Sequence, residues 1–192
     1  MGSGSSKDDR PPLEVAANCD TNRFMGTWFV HGVIPTYLET TCSNAVETYS
    51  FVGDSKKFDI DIGFDYNQSD PITSPLKSAN QKGWVQGEKM NSGLWKISPL
   101  PLVKIDYLIL EIDDKNYEYT AIGVRNRKYA WIMGRKPSMD DKTFEMLKDR
   151  LVTKHKYSLD GFRQVPQVWT DAERTKRKLE NEIPDEYLTK DT

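Results

Sequence analysis

The segment FDIDIGFD, residues 58–65, constrains the fold more than any other. Phe58, Ile60, Ile62 and Phe64 alternate with Asp59, Asp61, Gly63 and Asp65. A strict period of two gives a strand one dry face and one wet face, and no helix can reproduce it. Seven further runs have strand length and composition: TWFVHGVI (27–34), NAVETYSF (44–51), KGWVQGEK (82–89), GLWKIS (93–98), KIDYLILEID (104–113), YEYTAIGV (117–124) and KYAWIMGR (128–135). Turn-forming clusters such as VGDSKK, MNSG, DDKN and RNRK separate them. Strands at this spacing with no helix between them predict an antiparallel sandwich or barrel, not alternating β and α units. Closure also removes the exposed edges that make sheets aggregate.

The pattern then changes. SMDDKTFEMLKDRLVTKHKY (138–157) places Phe144, Leu147 and Leu151 at helical spacing. Ser138 is the expected N-cap, with Asp141 three residues on and Pro137 before it. Asp140 and Asp141 suit the positive end of a helix, and Lys154, His155 and Lys156 the negative end. GFRQVPQVW (161–169) reads as a short ninth strand, and the charged residues 170–192 as a solvated helical tail. Residues 1–17, beginning MGSGSS, read as a tag and flexible leader, so a native targeting segment is expected to have been removed. The domain proper is then 18–169.

A formal net charge of −2 argues against a nucleic-acid partner, which would need a basic face. No stretch approaches the roughly 18–20 apolar residues of a membrane helix. Two cysteines and two histidines, at no ligand-like spacing, argue against a metal. No cofactor loop or nucleophile triad is apparent. On these residues alone, Cys19 and Cys42 fit either a disulfide or two free thiols.

Three short segments, in this order, are similar to those of the lipocalins. GTW (26–28) resembles the Gly-x-Trp that opens the family's first strand, YEYTAI (117–122) its second conserved segment, and WIMGRKP (131–137) the last-strand segment ending in arginine before a helix. The runs IPTYLETTCSNAVETYSF and KYAWIMGRKPSMDDKTFEMLK most resemble the group of bacterial outer-membrane, plant temperature-induced and apolipoprotein D-like lipocalins. The similarity spans about residues 20–168. It implies an eight-stranded antiparallel up-and-down barrel with one α-helix packed outside. It also implies that Arg135 packs across the Trp28 indole at the barrel floor, a cation–π contact worth ~1–2 kcal/mol, with Gly26 letting the chain pass beneath. Gly26, Trp28 and Arg135 are thus expected to be structural.

The resemblance turns Arg135 inward, and alternation then turns Met133, Trp131 and Tyr129 inward as well. From Trp28 the same rule gives Val30, Gly32 and Ile34; on the second strand it gives Tyr49, Glu47 and Ala45; on the third, Phe58, Ile60, Ile62 and Phe64. The expected ligand-binding set is Trp131, Tyr49, Glu47, Phe58, Ile60, Ile62, Phe64, Val30, Tyr129 and Met133. Glu47 stands out, since a carboxylate in an apolar barrel is costly unless paired or protonated. It would meet a ligand's polar end, a tyrosine hydroxyl, or solvent. Leu100, Leu102, Val103, Tyr37 and Leu38 fall on mouth loops and suggest a membrane contact or a lid. A strand of about eight residues would hold Cys42 and Cys19 ~25 Å apart, which argues against bonding them, although a wandering leader leaves it open. Relatives often tie a cysteine of this first loop to the C-terminal tail, which here has none. His31 should point outward.

The expected function is to bind and carry or sequester a small hydrophobic ligand (a fatty acid, lysolipid, sterol or pigment) in the barrel, with peripheral membrane contact. The chain would be a monomer or weak dimer, without cofactor, in an extracytoplasmic, organellar or membrane-peripheral location. The alternatives are a lipid- or carotenoid-modifying enzyme, isomerase or epoxide-converting, with Glu47 and Tyr49 as its candidate groups, and a module whose tail binds a protein.

Overall fold

A computed structural model describes residues 9–53, 59–87, 92–100 and 102–189. The strands are β1 (Gly26–Ile34), β2 (Ser43–Phe51), β3 (Asp59–Asn67), β4 (Leu76–Val85), β5 (Leu94–Leu100), β6 (Val103–Ile112), β7 (Tyr119–Gly123) and β8 (Ala130–Gly134). Each pairs antiparallel with the next, and β1 pairs with both β8 and β2, so the sheet closes into an eight-stranded barrel. A ninth strand, β9 (Arg163–Gln164), joins β1 at Gly32 and Val33, where β2 has parted from it. The helices are α1 (Thr21–Phe24) before β1, α2 (Asp141–Thr153) and α3 (Asp171–Lys176).

Two apolar layers follow from strand alternation. The inner one includes Trp28, Tyr49, Ile60, Ile62, Phe64, Trp95, Tyr107, Ile122, Trp131 and Met133. The outer one joins Leu108, Leu110, Ala121, Ala130 and Ile132 of the sheet to Phe144, Leu147 and Leu151 of α2. The helix thus covers the sheet with the predicted stripe. Its N-cap is Asp140, not Ser138: the Asp140 carboxylate accepts from the Thr143 amide at 2.9 Å. Ser138 lies too far before the first turn to reach an unpaired amide.

Alternation fails in β1. The register jumps between Val30 and Gly32, a β-bulge that sets two residues of one strand against one of the other. Gly32 and Ile34, expected inside, therefore face out. A Cβ on Gly32 would lie 2.6 Å from the Phe162 ring and 3.0 Å from that of Phe144, and Ile34 belongs to the outer layer. Val33 takes the inward place. β4 begins at Leu76, ahead of the expected run, because LKSANQ has no apolar alternation to announce it.

Among the described residues, neither the segment before α1 nor the one after β9 behaves as a solvated arm. Arg10 donates to the Lys156 carbonyl at 3.1 Å, and Ala16 to that of Ile109 at 2.8 Å. Leu13 and Val15 pack on the outer layer. Beyond β9, Trp169, Leu179 and Ile183 are buried against the outward faces of Phe29 and Val46. A tail read as solvated from its charge thus has an apolar underside.

Candidate functional site

The floor is built around one guanidinium. Arg135 lies 3.8 Å above the Trp28 ring and donates to the carbonyls of Thr27 (2.8 Å), Arg23 (2.7 Å), Phe24 (3.1 Å), Met25 (3.0 Å) and Tyr117 (3.3 Å). Burial lowers its affinity for its proton, to a pKa of about 10. The Trp28 indole donates to the Phe24 carbonyl at 2.9 Å. Gly26 has φ +95°, and a Cβ there would sit 3.4 Å from Arg135 Nη1. Phe24 fills the space above, 4.9 Å from Trp28 and 5.1 Å from both Tyr49 and Trp95, centre to centre.

From there an aromatic column climbs the barrel. Trp95 lies 6.3 Å from Tyr107, Tyr107 5.8 Å from Trp131, and Trp131 6.5 Å from Tyr129 near the mouth. Halfway up, Glu47 Oε2 accepts from the hydroxyls of both Tyr49 and Tyr107, the latter at 3.0 Å, and those hydroxyls lie 2.5 Å apart. Burial pushes the Glu47 carboxyl up to about 7, against the pull of its tyrosine donors. Of the three surroundings open to Glu47, the structure thus shows the tyrosine one. Closer to the mouth, the Trp131 indole donates to Glu39 Oε1 at 2.5 Å. The other oxygen of Glu39 accepts from the Thr36 amide (2.9 Å) and hydroxyl (2.5 Å). The first loop is thereby fastened to the column.

A family model for the lipocalin-like domain matches residues 19–167. The chain belongs to the lipocalin-like family. It is 24% identical to temperature-induced lipocalin-1 of Arabidopsis thaliana over 86% of this chain and 88% of that one. It is also 24% identical to the outer membrane lipoprotein Blc of Vibrio cholerae over 72% and 80%. Solved structures with the same fold include lobster apocrustacyanin A1 (15% identity, 86% and 94% covered, TM-score 0.58) and insecticyanin from the tobacco hornworm Manduca sexta (15%, 84% and 87%, 0.60). Lipocalins bind small hydrophobic ligands.

Of the sequence-derived ligand set, this lipocalin places Val30, Tyr49, Ile60, Ile62, Phe64, Trp131 and Met133 in the inner layer, with Tyr129 packed beside it and Glu47 among them. Phe58 lies outside the described residues. Tyr37, Leu38, Leu100, Leu102 and Val103 are all exposed at the mouth. Both cysteines are buried free thiols; burial raises Cys19 to about 12 and Cys42 to about 11. His31 points out of the barrel, its Nε2 3.0 Å from the Lys136 carbonyl, and burial lowers it to about 4.

Trp95, Tyr107, Gln81 and Glu39 are among the inner residues that escaped sequence reasoning. Tyr107 belongs to a strand whose two faces are both buried, so alternation does not mark it, whereas Trp95 and Ile97 alternate with Lys96 and Ser98, a phase that was legible. Gln81, opposite Ile62 on β4, is a polar residue on an inner face. Glu39 belongs to no strand, but the Thr-x-x-Glu of a capping box at 36–39 was legible.

Proposed function

We propose that this lipocalin carries or sequesters one small hydrophobic molecule, with the aromatic column and the β3 face as its contact surface, while its mouth rests on a membrane. The observation that carries this reading is the inner layer itself: the described barrel strands point mainly apolar side chains inward, with the Glu47, Tyr49 and Tyr107 cluster and Gln81 as polar groups among them. Ligand sites combine mainly apolar walls with a few placed polar groups. Trp131, Tyr129, Val30, Met133, Ile60, Ile62 and Phe64 supply the walls, and Glu47 and Tyr49 the polar contacts. The guest is an apolar chain or ring system of the kind found in fatty acids, lysolipids, sterols and pigments. The inner groups serve recognition and not turnover.

The mouth supports the membrane half of this proposal. Leu102 is fully exposed and its backbone sits at φ +68°, a left-handed conformation that costs a leucine about 1–2 kcal/mol. Leu100 and Val103 flank it, and Tyr37 protrudes from the first loop. Lys104, Arg125 and Lys128 line the adjoining cleft of about 870 Å³, where anionic headgroups would be attracted. The similarity to an outer membrane lipoprotein fits an extracytoplasmic or membrane-peripheral place. The protein would act as a monomer or weak dimer.

Native mass spectrometry of the purified protein should show one co-purified small molecule per chain, recoverable unchanged. Tryptophan quenching by an added apolar ligand should saturate at one equivalent. A ligand recovered chemically altered would support the enzyme instead, and no binding across a lipid and pigment panel would refute the carrier. Replacing Leu100 and Leu102 by serine should weaken sedimentation with anionic vesicles and leave ligand stoichiometry unchanged.

A further inference from the structure

The polar groups inside the barrel are unevenly provided. Four donors of the column, below Tyr129, are already engaged. Tyr49 and Tyr107 donate to Glu47, Trp131 to Glu39, and the Trp95 indole to the Ser92 carbonyl at 2.8 Å. One acceptor is left over. On the ladder Tyr49–Ile62–Gln81, the three side chains share the inner face, and Gln81 Oε1 is buried with no hydrogen-bond partner. An acceptor buried without a donor costs roughly 1–3 kcal/mol, so a guest that supplies the donor recovers that cost.

Charge points the same way. Glu47, halfway up the barrel, and Glu39, closer to the mouth, are both buried, 5% and 3% exposed. On the eight barrel strands no described lysine or arginine faces the interior between Lys77, exposed at the rim, and Arg135, committed to its carbonyls at the floor; Arg163 of β9, opposite the inward Val33, is committed to the carbonyls of Glu39 and Cys42. A carboxylate brought to the level of Glu47 would meet its carboxyl group, with Glu39 between it and the mouth, and no uncommitted cation of the barrel strands. Like-charge juxtaposition of this kind costs several kcal/mol.

We propose, building on the carrier reading, that the barrel selects a guest whose buried polar end donates a hydrogen bond and carries no negative charge: a long-chain alcohol or amine, not a fatty acid. The donor goes to Gln81 Oε1 and lies within the field of Glu47, while the chain runs along Phe64, Trp131 and Tyr129 towards the mouth.

The test is a chain-matched series of dodecanol, dodecylamine and dodecanoic acid at pH 8, each displacing an uncharged apolar fluorophore. Alcohol and amine are expected to bind at least about tenfold more tightly than the acid, a difference of ~1.4 kcal/mol. In Gln81→Leu the alcohol should lose most of that advantage, with fluorophore binding retained. In Glu47→Gln the acid should gain. An acid that binds as tightly as the alcohol overturns the proposal, as does a Gln81→Leu variant with unchanged discrimination. If the fluorophore binds wild type but the series shows no order, this selectivity fails and the carrier stands. If neither the fluorophore nor any member of the series binds, both fail together.

Discussion

Arg135 holds the floor with one planar group. Its face covers Trp28, and its edge gathers the carbonyls of Arg23, Met25 and Thr27, and shares that of Phe24 with the Trp28 indole, as the chain turns from α1 into β1. A lysine keeps the charge but lacks the rigid fork of donors. Arg135→Lys should therefore lower the unfolding free energy by about 2–4 kcal/mol, since each buried carbonyl left unpaired costs on the order of 1 kcal/mol or more. Urea denaturation reads this directly, and a loss within error of zero would mean that water replaces the guanidinium. Glu47 and His31 form a second residue-scale pair with opposite signs. Burial raises Glu47 from 4.5 to about 7, so its contribution is present at low pH and lost as pH rises through 7. Burial lowers His31 from 6.5 to about 4, so its contribution is present above 6.5 and lost as pH falls towards 4. Between pH 5 and 7 the two oppose each other and flatten the wild-type profile. Comparison with Glu47→Gln isolates one of them. From pH 5 to pH 8.5 the variant should gain on wild type by ~3 kcal/mol, and a gain in the other direction would show that Glu47 is charged and well solvated in the fold.

At the scale of elements, sequence legibility depended on how many faces of a strand are dry. β3 has one dry face, and its period of two was plain. β8 also yielded, because Arg135 fixed its phase. β6 did not: Tyr107 and Ile109 face in while Leu108 and Leu110 lie under α2, so the pattern reads as a continuous apolar run. The bulge in β1 is invisible for another reason, since it is set by the close approach of Phe144 and Phe162 to Gly32 and not by local composition. The same close packing gives an element-scale prediction at Gly123, the last residue of β7. A Cβ there would lie 2.0 Å from the Tyr157 hydroxyl, which accepts from the Val124 amide at 3.0 Å and donates to its carbonyl at 3.1 Å. Gly123→Ala must displace Tyr157 and lose both bonds, for about 2–4 kcal/mol. Gly123→Ala and Tyr157→Leu remove the same contact, so the double variant should fall short of additivity by at least about 1 kcal/mol. Additive losses in denaturant titrations would place the strain elsewhere.

At the scale of the whole molecule, the barrel is closed but not self-sufficient. β2 leaves β1 after Phe29, and the exposed face of that divergence, Phe29 and Val46, needs a cover. The segment after β9 supplies it. Trp169 packs edge-on to Phe29 at 5.9 Å, and Arg177 lies 4.8 Å over the Trp169 ring. Arg177 also donates to the Asn44 carbonyl at 2.7 Å and to the Asn67 side chain, and pairs with Glu173 at 2.9 Å. Thr189 closes the loop through the Trp169 carbonyl at 2.7 Å. Most charges of residues 170–189 lie on the outer surface of this strap, with Arg177 and Glu173 buried beneath, and its apolar side chains were too few and too irregularly spaced to show a period. A strap of this kind is a poor candidate for a free arm that captures a protein, because capture would uncover the sheet. Deleting residues 171–192 should therefore cost about 3–6 kcal/mol, the transfer of Leu179, Ile183 and part of Trp169 to water. It should leave one ligand per chain, since Phe29 and Val46 face away from the interior. Both halves can be read from one protein, by thermal unfolding with and without a saturating apolar ligand: the ligand-induced rise in Tm should survive the deletion while the baseline Tm falls. If the baseline Tm is unchanged, the strap is not part of the folded unit and the arm reading returns. If the ligand effect vanishes while the fold persists, the divergence between β1 and β2, and not the mouth, is where the guest enters.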